Sequence, residues 1–146
     1  LKIYPQSFEK IGLFCDYQNM PSTNFISKLK FVFGNQTEIL IFVFSEVKKD
    51  ESVVYLNYKN VDVFGKFKAL SIKKELKDLN MIIDMTFQYS ILKHYILSVA
   101  RQAYKIALGK YVDNIYHLSF DLKTSDQDLL AHEIIKYHRI LNHAKS

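Results

Sequence analysis

The sequence predicts an α/β domain in which a mostly parallel central sheet is flanked by helices. Segments typical of strands alternate with segments typical of helices, and such alternation is characteristic of parallel sheets covered by helices. The segment 38–44 is apolar after its first residue, as expected for a strand that is covered on both faces. The length of 146 residues favours a single domain over residues 1–146, and the initial Leu is compatible with either a fragment of a longer protein or a trimmed chain.

In the first half of the chain, apolar runs and the residues that end them define the elements. Residues 11–15 form a short apolar run that predicts the first strand. Residues 25–33 predict a helix, because apolar side chains recur on one side of it and Gly34 is a good stop. After the second strand, residues 52–58 fit either a short helix or a strand, and residues 61–65 predict a third strand.

In the second half, the longest predicted element is a helix. Between residues 79 and 108 the apolar residues recur every three or four positions, with a break near residues 89–90, and Gly109 would end the helix. Residues 115–122 predict a fourth strand, and residues 125–143 predict a final helix. The predicted order is therefore βαβ, an ambiguous segment, and then βαβα.

Composition and charge narrow the classes of function. The net charge of +5 is a mild basic excess, which suits an anionic partner such as nucleic acid. The single cysteine, Cys15, allows no internal disulfide and lies in an apolar run, which predicts a buried thiol and a reducing, cytoplasmic location. No apolar stretch approaches the ~20 residues of a membrane span. The sequence has no glycine-rich phosphate-binding pattern, which argues against an enzyme that uses a nucleotide cofactor.

Acidic residues fall at three separated places that the predicted fold could gather. Asp16 ends the first strand, and Asn19 follows it. Asp84 lies among apolar residues within the predicted long helix, while Asp126 and Asp128 follow the last strand. Ligands of open α/β sheets bind at the carboxyl ends of strands, and carboxylates are ligands that Mg²⁺ and Mn²⁺ prefer. A lone carboxylate in apolar surroundings must be paired, hydrogen-bonded or metal-bound, so the pattern predicts an acidic metal site.

Most of these acids also have a simpler interpretation. Asp16 could be a turn residue, and Asp78 is better explained as a helix N-cap than as a metal ligand. Asp126 and Asp128 could simply favour a helix N-terminus. Asp121, beside the last predicted strand, is the alternative third ligand if the strand register differs.

These acidic segments resemble the NYN domain, a branch of the PIN-like nuclease superfamily. Its opening motif, an apolar strand that ends in Asp-x-x-Asn, is matched by residues 14–20. Its middle motif, a Lys-Glu-rich approach to one Asp and a second Asp six residues later, is matched by residues 74–85. Its last motif, Ser-Gly-Asp-x-Asp-Phe after a strand, has a degenerate match in residues 124–129, where Ser125 replaces the glycine and Leu129 the aromatic residue.

The resemblance implies a PIN-like, Rossmannoid three-layer fold and a metal-dependent endoribonuclease that cleaves RNA phosphodiesters. It implies that Asp16, Asp84 and Asp126 hold Mg²⁺ or Mn²⁺. Asp128 is then a further catalytic residue, and a metal-bound water attacks the phosphodiester.

Four further residues are predicted to contact RNA. Asn19 would position a ligand or the substrate, and Tyr17 could stack on a base. Lys74 and Lys77 could meet the RNA backbone, although a solvated surface is the default for each lysine.

Two alternatives to an enzyme stay open. One is a catalytically weak module of the same fold that binds RNA or a partner protein. The other is a structural domain of a larger protein, with a homodimer formed through the extra helix predicted around residues 93–110. The departures from the family motifs raise the chance of a divergent, specialised or inactive member, or of a larger parent protein. An enzyme is still favoured, because the three acidic motifs fall where the predicted fold can gather them.

Overall fold

A six-stranded parallel sheet forms the centre of the structure. The computed structural model describes residues 3–45, 52–57, 70–86, 90–109, 115–122 and 124–143. The strands within these residues are β1 Lys10–Asp16, β2 Glu38–Phe44, β3 Val54–Leu56, β4 Met81–Asp84, β5 Tyr104–Ala107 and β6 Leu118–Ser119. Every pairing between them is parallel, and the strand order is β3-β2-β1-β4-β5-β6.

Helices cover both faces of this sheet, so the α/β prediction with a mostly parallel sheet is confirmed. The described helices are α1 Thr23–Phe33, α2 Leu70–Lys77, α3 Ile91–Val99 and α4 Gln127–His143. One apolar core lies between the sheet and the helices α1 and α4, and it includes Phe25 and Ile134. A second core lies on the opposite face, where Leu76 and Ile96 come from α2 and α3.

Helix α1 shows how local sequence sets the limits of an element. The Ser22 side chain accepts a hydrogen bond from the Phe25 N–H at 3.1 Å and so caps the first turn. Gly34 follows the last turn with a φ of 129°, a conformation that favours glycine. The helix predicted over residues 25–33 is confirmed, with a start two residues earlier.

The long helix predicted over residues 79–108 is wrong. The structure has strand β4, helix α3 and strand β5 in this segment. All four residues of each strand are buried, so neither strand shows the alternation of apolar and polar residues that marks a half-exposed strand. Asp84 therefore ends a strand and does not lie inside a helix.

The remaining strand predictions have mixed outcomes. The ambiguous segment 52–58 contains β3, and the fourth predicted strand, 115–122, contains the short β6. The strand predicted over residues 61–65 lies outside the described residues. Cys15 is fully buried, as predicted, and burial raises the pKa of its thiol to about 12.

The strand order fixes where a ligand would bind. The chain runs outward from β1 through β2 to β3 and then returns to β4 on the other side of β1. This reversal is a topological switch point, and open α/β sheets bind ligands there, beyond the carboxyl ends of the strands. We call that side of the sheet the carboxyl edge and the opposite side the amino edge. Among the described residues, no helix is long and apolar enough to cross a membrane.

Candidate functional site at the carboxyl edge of β1 and β4

Asp16 and Asp84 end the two adjacent strands at the switch point. Asp84 pairs in register with Phe14 of β1, and Asp16 lies two residues further along that strand. Since side chains alternate along a strand, all three project to the face that α2 and α3 cover, where Phe14 is a core residue. The charge of Asp84 acts on the Asp16 carboxyl, so the structure brings these two predicted site residues together.

The Asp84 carboxylate is fully buried and has four polar contacts. Its Oδ1 atom accepts hydrogen bonds from the Thr86 N–H at 2.9 Å and from the Thr86 hydroxyl at 2.7 Å. Its Oδ2 atom lies 3.1 Å from the Lys93 Nζ atom and accepts a hydrogen bond from the Tyr116 hydroxyl. Four contacts match the acceptor capacity of a carboxylate, so the protein itself offsets the burial of this charge.

Lys93 reaches this carboxylate from the core-facing side of α3. The residue is 3% exposed, and its ammonium also donates a hydrogen bond to the Thr86 hydroxyl at 2.6 Å. Asp84, Thr86, Lys93 and Tyr116 form one polar cluster, which we call the Asp84–Lys93 network. The other buried residues of α3 are Leu92, Ile96 and Leu97.

Asp16 has a different environment from Asp84. It is half-buried and occupies the N-cap position of a short 3₁₀ turn, Tyr17–Asn19, without a side-chain capping hydrogen bond. Burial raises the pKa of the Asp16 carboxyl, the Lys93 ammonium lowers it and the Asp84 carboxylate raises it, with a net upward shift. Of the two acids that end β1 and β4, Asp16 is thus the one that can meet a ligand from solvent.

Tyr17 and Asn19 follow Asp16 directly and are exposed at the same edge. Tyr17 keeps 39% of its surface exposed. The loop after them is tied to the start of α4, because the Gln127 side-chain amide donates to the Met20 carbonyl at 2.9 Å and accepts from the Ser22 N–H at 2.8 Å. The structure therefore holds Tyr17 and Asn19 next to Asp16 at the carboxyl edge, in a loop that is fastened to α4.

The acids at the start of α4 have local partners. Asp126 is the N-cap of α4, since its Oδ1 atom accepts hydrogen bonds from the N–H groups of Asp128 at 3.0 Å and Leu129 at 3.4 Å. The exposed Asp128 carboxylate lies 2.8 Å from the Lys28 ammonium. Asp121, the alternative ligand, is exposed and has a φ of 54°. Asp126 and Asp128 thus each have a partner within the protein that needs no metal.

The two predicted lysine contacts lie on a different part of the surface. Lys74 and Lys77 are exposed in the last turn of α2. The next residue, Asp78, has its carboxylate 4.0 Å from the ammonium of Lys10, which begins β1. The end of α2 is therefore at the amino edge, and the structure does not bring these lysines to Asp16. Their contact with RNA stays a prediction.

Nearly the whole chain is similar to one family of proteins. Residues 2–141 match the model of a family described as a family of unknown function (DUF6913). The chain belongs to the DUF6913 family. No curated protein matches this DUF6913 chain. The resemblance of the DUF6913 chain to the NYN domain stays a prediction.

The donor set of this DUF6913 domain does not fit a divalent cation shared by Asp16, Asp84 and Asp126. Mg²⁺ and Mn²⁺ bind through carboxylate oxygens, but both oxygens of Asp84 already have hydrogen-bond or ion-pair partners. One Asp126 oxygen caps α4. In the part of the chain that the structure describes, no group of three His, Cys, Asp or Glu residues is placed to hold a metal ion. Metal binding by the DUF6913 domain stays a prediction.

Sequence reasoning missed the partners of Asp84. The signal for Lys93 was its position in the apolar stripe of α3, between Leu92 and Ile96. A lysine in such a stripe needs a buried acid, because an unpaired charge in a core is very unfavourable. Thr86 follows Asp84 at the spacing at which a carboxylate accepts from the backbone two residues on. Tyr116 had no local signal, because only the β5–β6 pairing brings it near.

Proposed function

We propose that this domain is a binding module that recognises RNA at the carboxyl edge of β1 and β4 without a catalytic divalent cation. One observation carries the choice of binding over cleavage. Asp84, the acid best suited by its position to be the central metal ligand, is neutralised by the buried ammonium of Lys93 at 3.1 Å. The site can therefore hold its buried acid without recruiting an ion from solvent.

Charge and exposure support RNA as the ligand. Because Lys93 offsets Asp84, Asp16 contributes the remaining negative charge of this group, and the whole chain carries a net charge of +5. Tyr17 offers an exposed aromatic ring at this edge, and bases of single-stranded RNA stack on such rings. Asn19 adds an exposed amide that can donate and accept hydrogen bonds.

The binding test uses the whole chain and a fluorescently labelled single-stranded RNA of about 12 nucleotides, a length within the span of common binding grooves. Binding is measured by fluorescence anisotropy in EDTA at low salt. The variant Tyr17→Ala should weaken binding about 5- to 150-fold, which corresponds to the roughly 1–3 kcal/mol of one stacked base. The matched control is Phe31→Ala, which removes an 84% exposed ring from the other end of α1.

Two outcomes of this experiment would contradict RNA recognition at the carboxyl edge. One is the absence of RNA binding in EDTA at low salt. The other is equal affinity of wild type and Tyr17→Ala, which would move any RNA contact to another surface.

Metal-dependent cleavage is the second candidate function, and the convergence of Asp16 and Asp84 on adjacent strands favours it. The same RNA is incubated with Mn²⁺ and with EDTA, for wild type and for Asp84→Asn. Cleavage that needs Mn²⁺ and disappears in the variant would replace the binding module with a nuclease. The predicted homodimer is tested separately, by light scattering of the chain alone.

A further inference from the structure

We propose that Lys93 is the built-in cation of this site and the residue that excludes Mg²⁺ and Mn²⁺ from Asp16 and Asp84. The proposal rests on the part of the proposed function that assigns no divalent cation to this edge, and it makes no claim about RNA. Its test uses Mn²⁺ alone, so its failure can be told apart from failure of RNA binding.

The geometry of the ammonium carries the first step. Its Nζ atom lies 3.1 Å from Asp84 Oδ2 and 2.6 Å from the Thr86 hydroxyl oxygen. A magnesium ion would need to sit about 2.1 Å from a carboxylate oxygen. Since Asp84 is fully buried and Tyr116 also contacts Oδ2, an ion at that atom would compete directly with Lys93 for the same space.

The position of Lys93 in the fold carries the second step. The residue is 3% exposed and is flanked on α3 by the buried residues Leu92, Ile96 and Leu97. A long side chain on a surface could swing away to admit an ion, but the stem of Lys93 is packed in the core. Displacement of the ammonium would leave it buried without its carboxylate, a loss that is strongly destabilising.

Charge balance carries the third step. The ammonium acts on both acids, because it also lowers the pKa of Asp16 against the effect of burial. Together, the two carboxylates and the Lys93 ammonium carry about one net negative charge. A divalent ion would make the net charge of this group positive, beside a buried ammonium. Without Lys93, the two carboxylates would carry the charge that one divalent ion neutralises. Repulsion between such carboxylates favours cation uptake.

The test compares wild type with Lys93→Met, which keeps the length of the buried stem and removes the charge. Binding of Mn²⁺ is followed by electron paramagnetic resonance, and the melting temperature is measured in EDTA and in Mn²⁺. Wild type should bind no Mn²⁺ at this site and should melt at the same temperature in both. Lys93→Met should bind one Mn²⁺, and its melting temperature should rise by roughly 5–10 °C when Mn²⁺ is at 100 times its Kd.

Two further variants separate this effect from general loss of charge. Lys28→Met removes an exposed ammonium that also lies beside an Asp, and it should not respond to Mn²⁺. The double variant Asp84→Asn with Lys93→Met removes both charges of the network and should lose the response. If Lys93→Met is unfolded in EDTA, recovery of its circular dichroism on addition of Mn²⁺ is the equivalent readout.

Two results would overturn the proposal. Wild type could bind Mn²⁺ in a manner that Asp84→Asn abolishes, which would show that Lys93 does not exclude the ion. Alternatively, Lys93→Met could show no Mn²⁺ binding and no gain in melting temperature or folding. Neither result involves RNA, so each is distinguishable from failure of the RNA-binding test.

Discussion

Loss of the Lys93 charge should be among the most damaging single changes in this domain. The Lys93 and Asp84 side chains are 3% and 0% exposed, so Lys93→Met leaves a buried carboxylate with only neutral donors, from Thr86 and Tyr116. Removal of one partner of a buried ion pair costs about 3–5 kcal/mol. That is a large fraction of the roughly 5–15 kcal/mol by which domains of this kind are stable.

The magnitude is measured with a double-mutant cycle in EDTA. Urea unfolding of wild type, Lys93→Met, Asp84→Asn and the double variant is followed by far-ultraviolet circular dichroism, since the chain has no tryptophan. Each single variant should lose about 3–5 kcal/mol, and the double variant should lose clearly less than the sum. The coupling free energy between the two residues should then be at least about 2 kcal/mol.

The exposed pair Lys28–Asp128 provides the control cycle. Its Nζ–Oδ1 distance of 2.8 Å is shorter than that of the buried pair, but its side chains are 41% and 75% exposed. Exposed pairs contribute about 0–1 kcal/mol because water and salt screen them. Additive effects of the Lys93 and Asp84 substitutions, within about 0.5 kcal/mol, would refute the reasoning that burial makes this pair strong.

Two other predictions concern β1. Burial raises the pKa of Asp16 above its ordinary value of 3.8, so the ionised carboxylate opposes folding at pH 7. Asp16→Asn should therefore raise the melting temperature at pH 7. The gain should vanish below pH 3.8, where the carboxyl is protonated in both the folded and the unfolded chain. Equal melting temperatures of variant and wild type at pH 7 would contradict this sign. Gly12→Ala should cost about 1–3 kcal/mol in urea unfolding, because its new Cβ atom would stand 2.8 Å from the Leu79 Cδ1 atom and 3.3 Å from the Phe42 Cε2 atom. An unchanged unfolding midpoint would show that the Leu79 side chain moves aside freely.

Elements with one buried side were readable from the sequence. Helices α1 and α4 show apolar residues at helical spacing, and Gly34 stops α1 where predicted. Strands β4 and β5 are buried on both sides and only four residues long. Their apolar residues happened to continue the spacing of α3, so local periodicity merged three elements into one helix.

The candidate site was predictable only in part. Asp16 could be placed because it directly ends an apolar run, and the cost of burying Asp84 correctly demanded a partner. The identity of that partner depended on the packing of α3 against the sheet, which no local pattern in the sequence specifies. The acid Asp126 was ambiguous because N-caps and metal ligands draw on the same residue type.

The central position of β1 has a consequence for how the site is assembled. β1 precedes the other described strands in the sequence, yet its second neighbour, β4, begins at Met81. During synthesis, Asp16 cannot reach its final surroundings until β4, which ends in Asp84, and α3, which bears Lys93, have left the ribosome. Such distant pairings close late and slow folding. A nascent chain from which α3 has not yet emerged would therefore hold Asp84 without Lys93, its buried ionic partner.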